Sequence, residues 1–219
     1  MGSARNTSSA ERRARVEEMR RAEHARERRT RLITITVSTA IVAGLVGFGS
    51  YLFINEKNKQ DEADAKAKAA SEAPIGGIKE FDAEKLGRNH VKTPVSYPQT
   101  PPVGGDHDPT WLNCDGDVYD EPVRNENAVH SLEHGAVWVT YNKQAKDADV
   151  EALKEKVKAT PYSLMSPVEA QEGALMLTAW GKQVTVDSAK DPRVESFFAK
   201  FVQGPQTPEP GAACTSGTM

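Results

Sequence analysis

The longest unbroken apolar stretch of the chain is Leu32–Ile54, 23 residues without a charged side chain. As a helix it would be about 35 Å long, enough to cross a bilayer with some tilt. The pattern then breaks. Asn55–Ala73 mixes Ala, Lys, Glu and Asp with no apolar period, so it buries nothing and is expected as a stalk, helical or disordered. Pro74–Tyr119 is rich in Pro, Gly, Asn and Asp, with the run Thr100–Pro109 as its extreme, and predicts turns and irregular backbone. Regular periodicity resumes near His130. Ala136–Tyr141 is β-branched and aromatic, a strand pattern. Asp147–Ala159 carries Val150, Leu153 and Val157 at helical spacing and stops before Pro161. Tyr162–Met165, Ala174–Trp180 and Gln183–Val186 read as three further strands, with Gly181 turning the last pair. Asp191 is placed to cap a helix that has Pro192 in its first turn, Val194, Phe197, Phe198 and Phe201 on one face, and Gly204 as its stop.

This order predicts an α+β protein. One transmembrane helix is followed by a small extracytoplasmic sandwich, with helices packed on one face of a largely antiparallel sheet and an irregular Pro/Gly-rich N-terminal half. The expected organisation is a cytoplasmic Arg-rich head (1–31), the transmembrane helix (32–54), a charged stalk (55–73), the extracytoplasmic domain (74–204) and a Pro/Gly-rich tail (205–219).

Charge sets the orientation. The net charge is only −3, but residues 1–31 hold ten arginines, no lysine and five glutamates. Positive charge before a span predicts a cytoplasmic N-terminus and an external domain. The apolar run is longer than a signal-peptide core, and Tyr51–Asn55 offers no small-residue cleavage site, so the segment is read as a retained anchor. The lipid bilayer is the expected partner of such a head, with a further envelope protein as another. Nucleic acid is not, because a basic head abutting a span is more often a topology determinant or a contact for anionic lipid. The sequence leaves a small-molecule substrate unknown. The two cysteines, Cys114 and Cys214, both fall on the external side, where they are expected to bond to each other; metal ligation by a cysteine is the alternative reading.

The chemistry concentrates in His130-Ser131-Leu132-Glu133-His134. In one helical turn, the imidazoles at i and i+4 share a face and can share an ion; in a strand they stand about 13 Å apart and cannot. His107, at the end of the Pro/Gly run, is the third expected ligand, and Glu133 and Asp106 are candidates to orient an imidazole or complete the set. Three imidazoles with an open position suit copper or zinc, and Met165 and Met176 are candidate axial ligands for copper, although both lie in apolar runs that suit core packing. The bland alternative is a buried hydrogen-bond network of histidines and Glu133. The same five residues match the His-x-x-Glu-His pattern of inverted zinc proteases, but Gly135 and the strand pattern after it cut short the helix that this mechanism needs. No Gly-x-Ser-x-Gly, phosphate loop, Gly-x-Gly-x-x-Gly or Cys-x-x-Cys is present. Asp115, Asp117 and Asp120 around Gly116 lack calcium-loop spacing.

Several of these segments together resemble a known family. They are Pro101-Pro102-x-Gly104-Gly105-x-His107, Gly116-x-x-Tyr119, the block Val129–Val137 with its two histidines, and Leu177-Thr178-Ala179-Trp180-Gly181. Over roughly Lys79–Gly204 the chain is similar to the mostly actinobacterial envelope proteins grouped as domain of unknown function 3105. It departs from them in having Gly104-Gly105 where members often show Ser-Gly, and Asp117 after Gly116. The resemblance implies an external domain behind one membrane anchor and names no activity. It also strengthens the grouping of His107, His130 and His134. The function expected is therefore metal handling or binding rather than turnover. A metal-free structural partner or assembly factor and a metal-dependent hydrolase are the alternatives.

Overall fold

The computed structural model describes residues 4–218. The chain divides into two compact units, Met1–Glu62 and Ala63–Met219. Helix α1 runs over Ala4–Glu72, so the segment after the apolar stretch takes the helical of the two forms open to it. Its apolar side chains from Leu32 to Ile54 are exposed, and by length and composition it can cross a membrane.

The second unit is built on six strands: β1 (Lys79–Glu80), β2 (Asp115–Val118), β3 (Val137–Tyr141), β4 (Ser163–Pro167), β5 (Leu175–Ala179) and β6 (Lys182–Val186). Helix α2 (Asn125–Glu133) lies between β2 and β3, α3 (Asp147–Lys158) between β3 and β4, and α4 (Pro192–Phe201) follows β6. The strand order is β1-β6-β5-β3-β4-β2. The expected largely antiparallel sheet is a mixed one. β1–β6, β5–β6 and β3–β5 pair antiparallel, whereas β3–β4 and β2–β4 pair parallel. The cause is α3: a helix between two neighbouring strands carries the chain back to the end where it started, so β4 must run beside β3 in the same direction.

The helices also do not share one face. Val137, Val139, Met165, Leu177 and Val184 pack with Leu153 and Val157 of α3 and Phe197 and Phe201 of α4. Trp138, Leu164 and Trp180 pack on the other side with Val129 and Leu132 of α2. A sheet buried on both faces reads as continuous apolar runs, which hides the α2 layer from a periodicity argument. Helix α4 begins as its sequence predicts: the Asp191 carboxylate accepts the Arg193 N–H at 2.9 Å and Pro192 stands in the first turn. The Cys114–Cys214 disulfide is formed and buried, with Cα atoms 4.8 Å apart. It closes a loop of about 100 residues, worth up to about 4–5 kcal/mol in the chain-entropy account.

Candidate metal centre

Helix α2 ends in the middle of the histidine block. Gly135, at φ +94°, supplies the left-handed residue; its N–H bonds the Leu132 carbonyl at 3.0 Å, and the Ala136 N–H bonds that of Ser131 at 3.0 Å. This paired closure is a Schellman end, which glycine adopts without strain. It leaves His130, Glu133 and the capping His134 on the last turn, all buried.

The irregular half of the domain is stitched to that turn. The Ser131 hydroxyl donates to the Leu112 carbonyl at 2.8 Å and accepts the Leu112 N–H at 3.1 Å. Asn127 Nδ2 donates to the Thr110 carbonyl at 2.6 Å. Upstream, Gly104 lies flat on Trp180, where a Cβ would come within 3.2 Å of the indole Cε2. The loop therefore passes close enough to bury His107 completely. Backbone bonds from the His107 N–H to the Asn89 carbonyl (3.0 Å) and from the Val91 N–H to the His107 carbonyl (2.7 Å) set His90 alongside it.

Four side chains converge as a result. One donor atom each from His90, His107, His130 and Glu133 lies within 4.8 Å of the other three. The rings of His90, His107 and His130 stand 4.7–5.0 Å apart, centre to centre. Zinc ligands at about 2.1 Å in a tetrahedron lie about 3.4 Å apart, so the donor atoms stand up to about 1.4 Å wider than a bound ion would hold them.

The hydrogen bonds fix what each imidazole offers. Nδ1 of His107 donates to the Gly105 carbonyl at 2.8 Å, Nδ1 of His130 to that of Asp108 at 2.7 Å, and Nδ1 of His134 to that of Ala213 at 2.7 Å. A carbonyl can only accept, so the proton sits on Nδ1 and the neutral ring presents Nε2 as a bare lone pair. His107 Nε2 faces Glu133 Oε2 at 3.0 Å, yet both atoms are buried without an aligned hydrogen bond. Two acceptors in that position require a cation between them, a proton or a metal.

Electrostatics follow the same geometry. Burial pulls the His107 pKa down, but the Glu133 carboxylate and the Gly105 carbonyl outweigh it and the net shift is upward. Burial pushes Glu133 up, and His107 beside it, with His130 and His90 near, brings the net shift down. His130 is pushed down to about 4, mainly by burial; the Asp108 carbonyl opposes this and the neighbouring imidazoles reinforce it. It is held neutral, as a ligand must be.

Of the residues expected from the sequence, His107, His130 and Glu133 belong to the converging group. His134 lies next to His130, ring centres 4.6 Å apart and edge to face, but its Nε2 faces Glu209 at 3.8 Å. Asp106 acts one step away: its Oδ1 accepts both the backbone N–H and Nδ2 of Asn89 at 3.0 Å, next to His90. Met165 packs in the core on the α3 and α4 face, and Met176 pairs with Thr140 within the sheet. His90 was not among the expected ligands. It has no motif spacing to the others, and its only sequence signal was being the remaining histidine after the apolar stretch.

No curated protein and no solved structure gives a match to the chain. A family described as "Protein of unknown function (DUF3105)" matches residues 90–216. That match opens on His90 and takes in His107, His130 and Glu133, so the converging side chains lie wholly within it, and the chain belongs to the DUF3105 family.

Proposed function

We propose that this is a single-pass, membrane-anchored protein whose external domain holds a copper or zinc ion at His90, His107, His130 and Glu133, for metal binding or handling rather than turnover. The observation that carries this reading is the 3.0 Å contact of two buried acceptors, His107 Nε2 and Glu133 Oε2, inside a cluster in which the Nδ1 hydrogen bonds of His107 and His130 leave Nε2 free for ligation. Nitrogen and carboxylate donors in this number suit zinc and copper better than calcium or magnesium. The bound ion would supply charge to neutralise Glu133 and to satisfy the bare nitrogens.

Two features support the placement. Ten arginines against five glutamates precede Leu32, which favours a cytoplasmic N-terminus. A buried disulfide further along the chain favours an oxidising compartment for the domain.

The rival reading is a metal-free structural partner in the envelope, with a proton rather than a metal between His107 and Glu133. The raised His107 pKa favours it. Among the described residues the exposed large apolar side chains fall within Val16–Ile54, and those of the domain, such as Val118, Tyr119 and Val123, are only partly exposed. A hydrolase is the weaker alternative, because Glu133, its natural general base, is already within the donor group.

Metal analysis of the full-length protein in detergent decides between them. About one copper or zinc per chain is expected, lost in His130→Ala and in Glu133→Ala with the far-ultraviolet circular dichroism retained. A metal-free wild type, with His107→Ala lowering stability by about 1–3 kcal/mol, would establish the structural network instead.

A further inference from the structure

The four converging side chains are not equivalent. His107, His130 and Glu133 are buried, whereas the His90 side chain is 49% exposed and stands at the rim. His107 and His130 are each oriented by a carbonyl on Nδ1. Among the described residues the His90 ring has no such partner; its Nε2 stands 3.9 Å from Glu133 Oε2, and the ring stacks on that of His130 and meets that of His107 edge to face. Its backbone is the opposite case. It is held on both sides by the bonds between His107 and residues 89 and 91, and Asp106 clamps Asn89 at a point where Gly87 leaves no room for a Cβ. On this fixed backbone, a half-exposed ring that no hydrogen bond holds can swing without any unfolding of the loop.

The geometry points to His90 as the exchangeable ligand of this centre: three buried donors hold the ion, and the exposed imidazole opens to admit it or to yield its place to an imidazole from another molecule. This rests on the metal reading above and deepens it from binding to transfer. The step is a ligand substitution in which one nitrogen lone pair leaves the ion as another arrives, with no change of oxidation state. Preorganised ligands lose little entropy on binding and release slowly, whereas a ligand left free to rotate is the one that departs first.

The test uses full-length protein in detergent, loaded with Zn²⁺ and in parallel with Cu²⁺, and follows release to excess chelator by stopped flow. Wild type should retain one ion per chain. His90→Ala should still retain one but release it at least tenfold faster, and millimolar imidazole should slow that release toward the wild-type rate by filling the vacated place. His130→Ala should retain none, with or without imidazole. His90→Gln, which keeps the side chain's bulk, should behave as His90→Ala and guards against a folding defect. A wild-type release rate in both His90 variants, complete loss of the ion, or no response to imidazole would each overturn the proposal. A wild type that never retains an ion would instead remove the metal reading on which it stands.

Discussion

At the scale of single residues, the site is governed by which nitrogens carry protons. His130 has a folded pKa of about 4 against an ordinary 6.5, because burial disfavours its charged form. Between those values the unfolded chain binds more protons at this position than the folded one. Its contribution to stability is therefore complete above pH 6.5 and is lost as the pH falls toward 4, with a ceiling of about 3 kcal/mol. His107 works in the opposite sense: its raised pKa stabilises the fold below 6.5, and this fades as the pH rises through the folded value. Thermal unfolding of the chelator-treated protein between pH 4.5 and 7, followed by near-ultraviolet circular dichroism, should show a falling midpoint on the acid side. His130→Asn, which does not titrate, should flatten that acid limb, and an acid limb as steep as that of wild type would assign the loss to other groups.

At the scale of elements, the end of α2 is the part on which the site depends most. Its closure sets the direction of the last turn and hence of Glu133 and His134. The tail then packs against that turn: the Gln203 N–H bonds the Gly135 carbonyl at 3.0 Å and the Glu209 N–H bonds that of Glu133 at 3.1 Å. A Cβ at Gly135 would meet Thr207 Cγ2 at 2.8 Å as well as the Gln203 side chain, at a φ of +94° that L residues rarely adopt. Gly135→Ala should therefore cost about 2–4 kcal/mol, from the left-handed backbone and the overpacking together. Urea denaturation measures it, and a shift of less than about 0.5 kcal/mol would show that neither the backbone nor the tail resists the substitution there.

At the scale of the whole molecule, the proposed orientation joins two independent features, the arginines before the apolar stretch and the disulfide beyond it. Protease added to spheroplasts should digest the domain and spare the N-terminal head, as followed by antibodies to each end. Protection of the domain with digestion of the head would reverse the orientation and leave the disulfide without an oxidising compartment.

Local rules sufficed for part of this protein. The apolar stretch, the capped helix α4 and strands β3 and β5 follow from contiguous patterns, because a span, a cap and an apolar strand are each decided by residues close in sequence. The pairing of Cys114 with Cys214 was legible only because no third cysteine competes. Strand β2, Asp115–Val118, has no strand-like composition; it exists because β4 offers it an edge, and that edge exists because α3 makes β4 parallel to β3. The site divides in the same way. The turn carrying His130 and Glu133 and the approach of His107 could be anticipated from spacing and from the proline-glycine loop. That His90 joins them while His134 turns toward Glu209 could not. His90 is placed by backbone bonds to His107, and His134 by a carbonyl 79 residues away in the tail, and contacts of that range are decided by how loops and tail pack over a finished sheet.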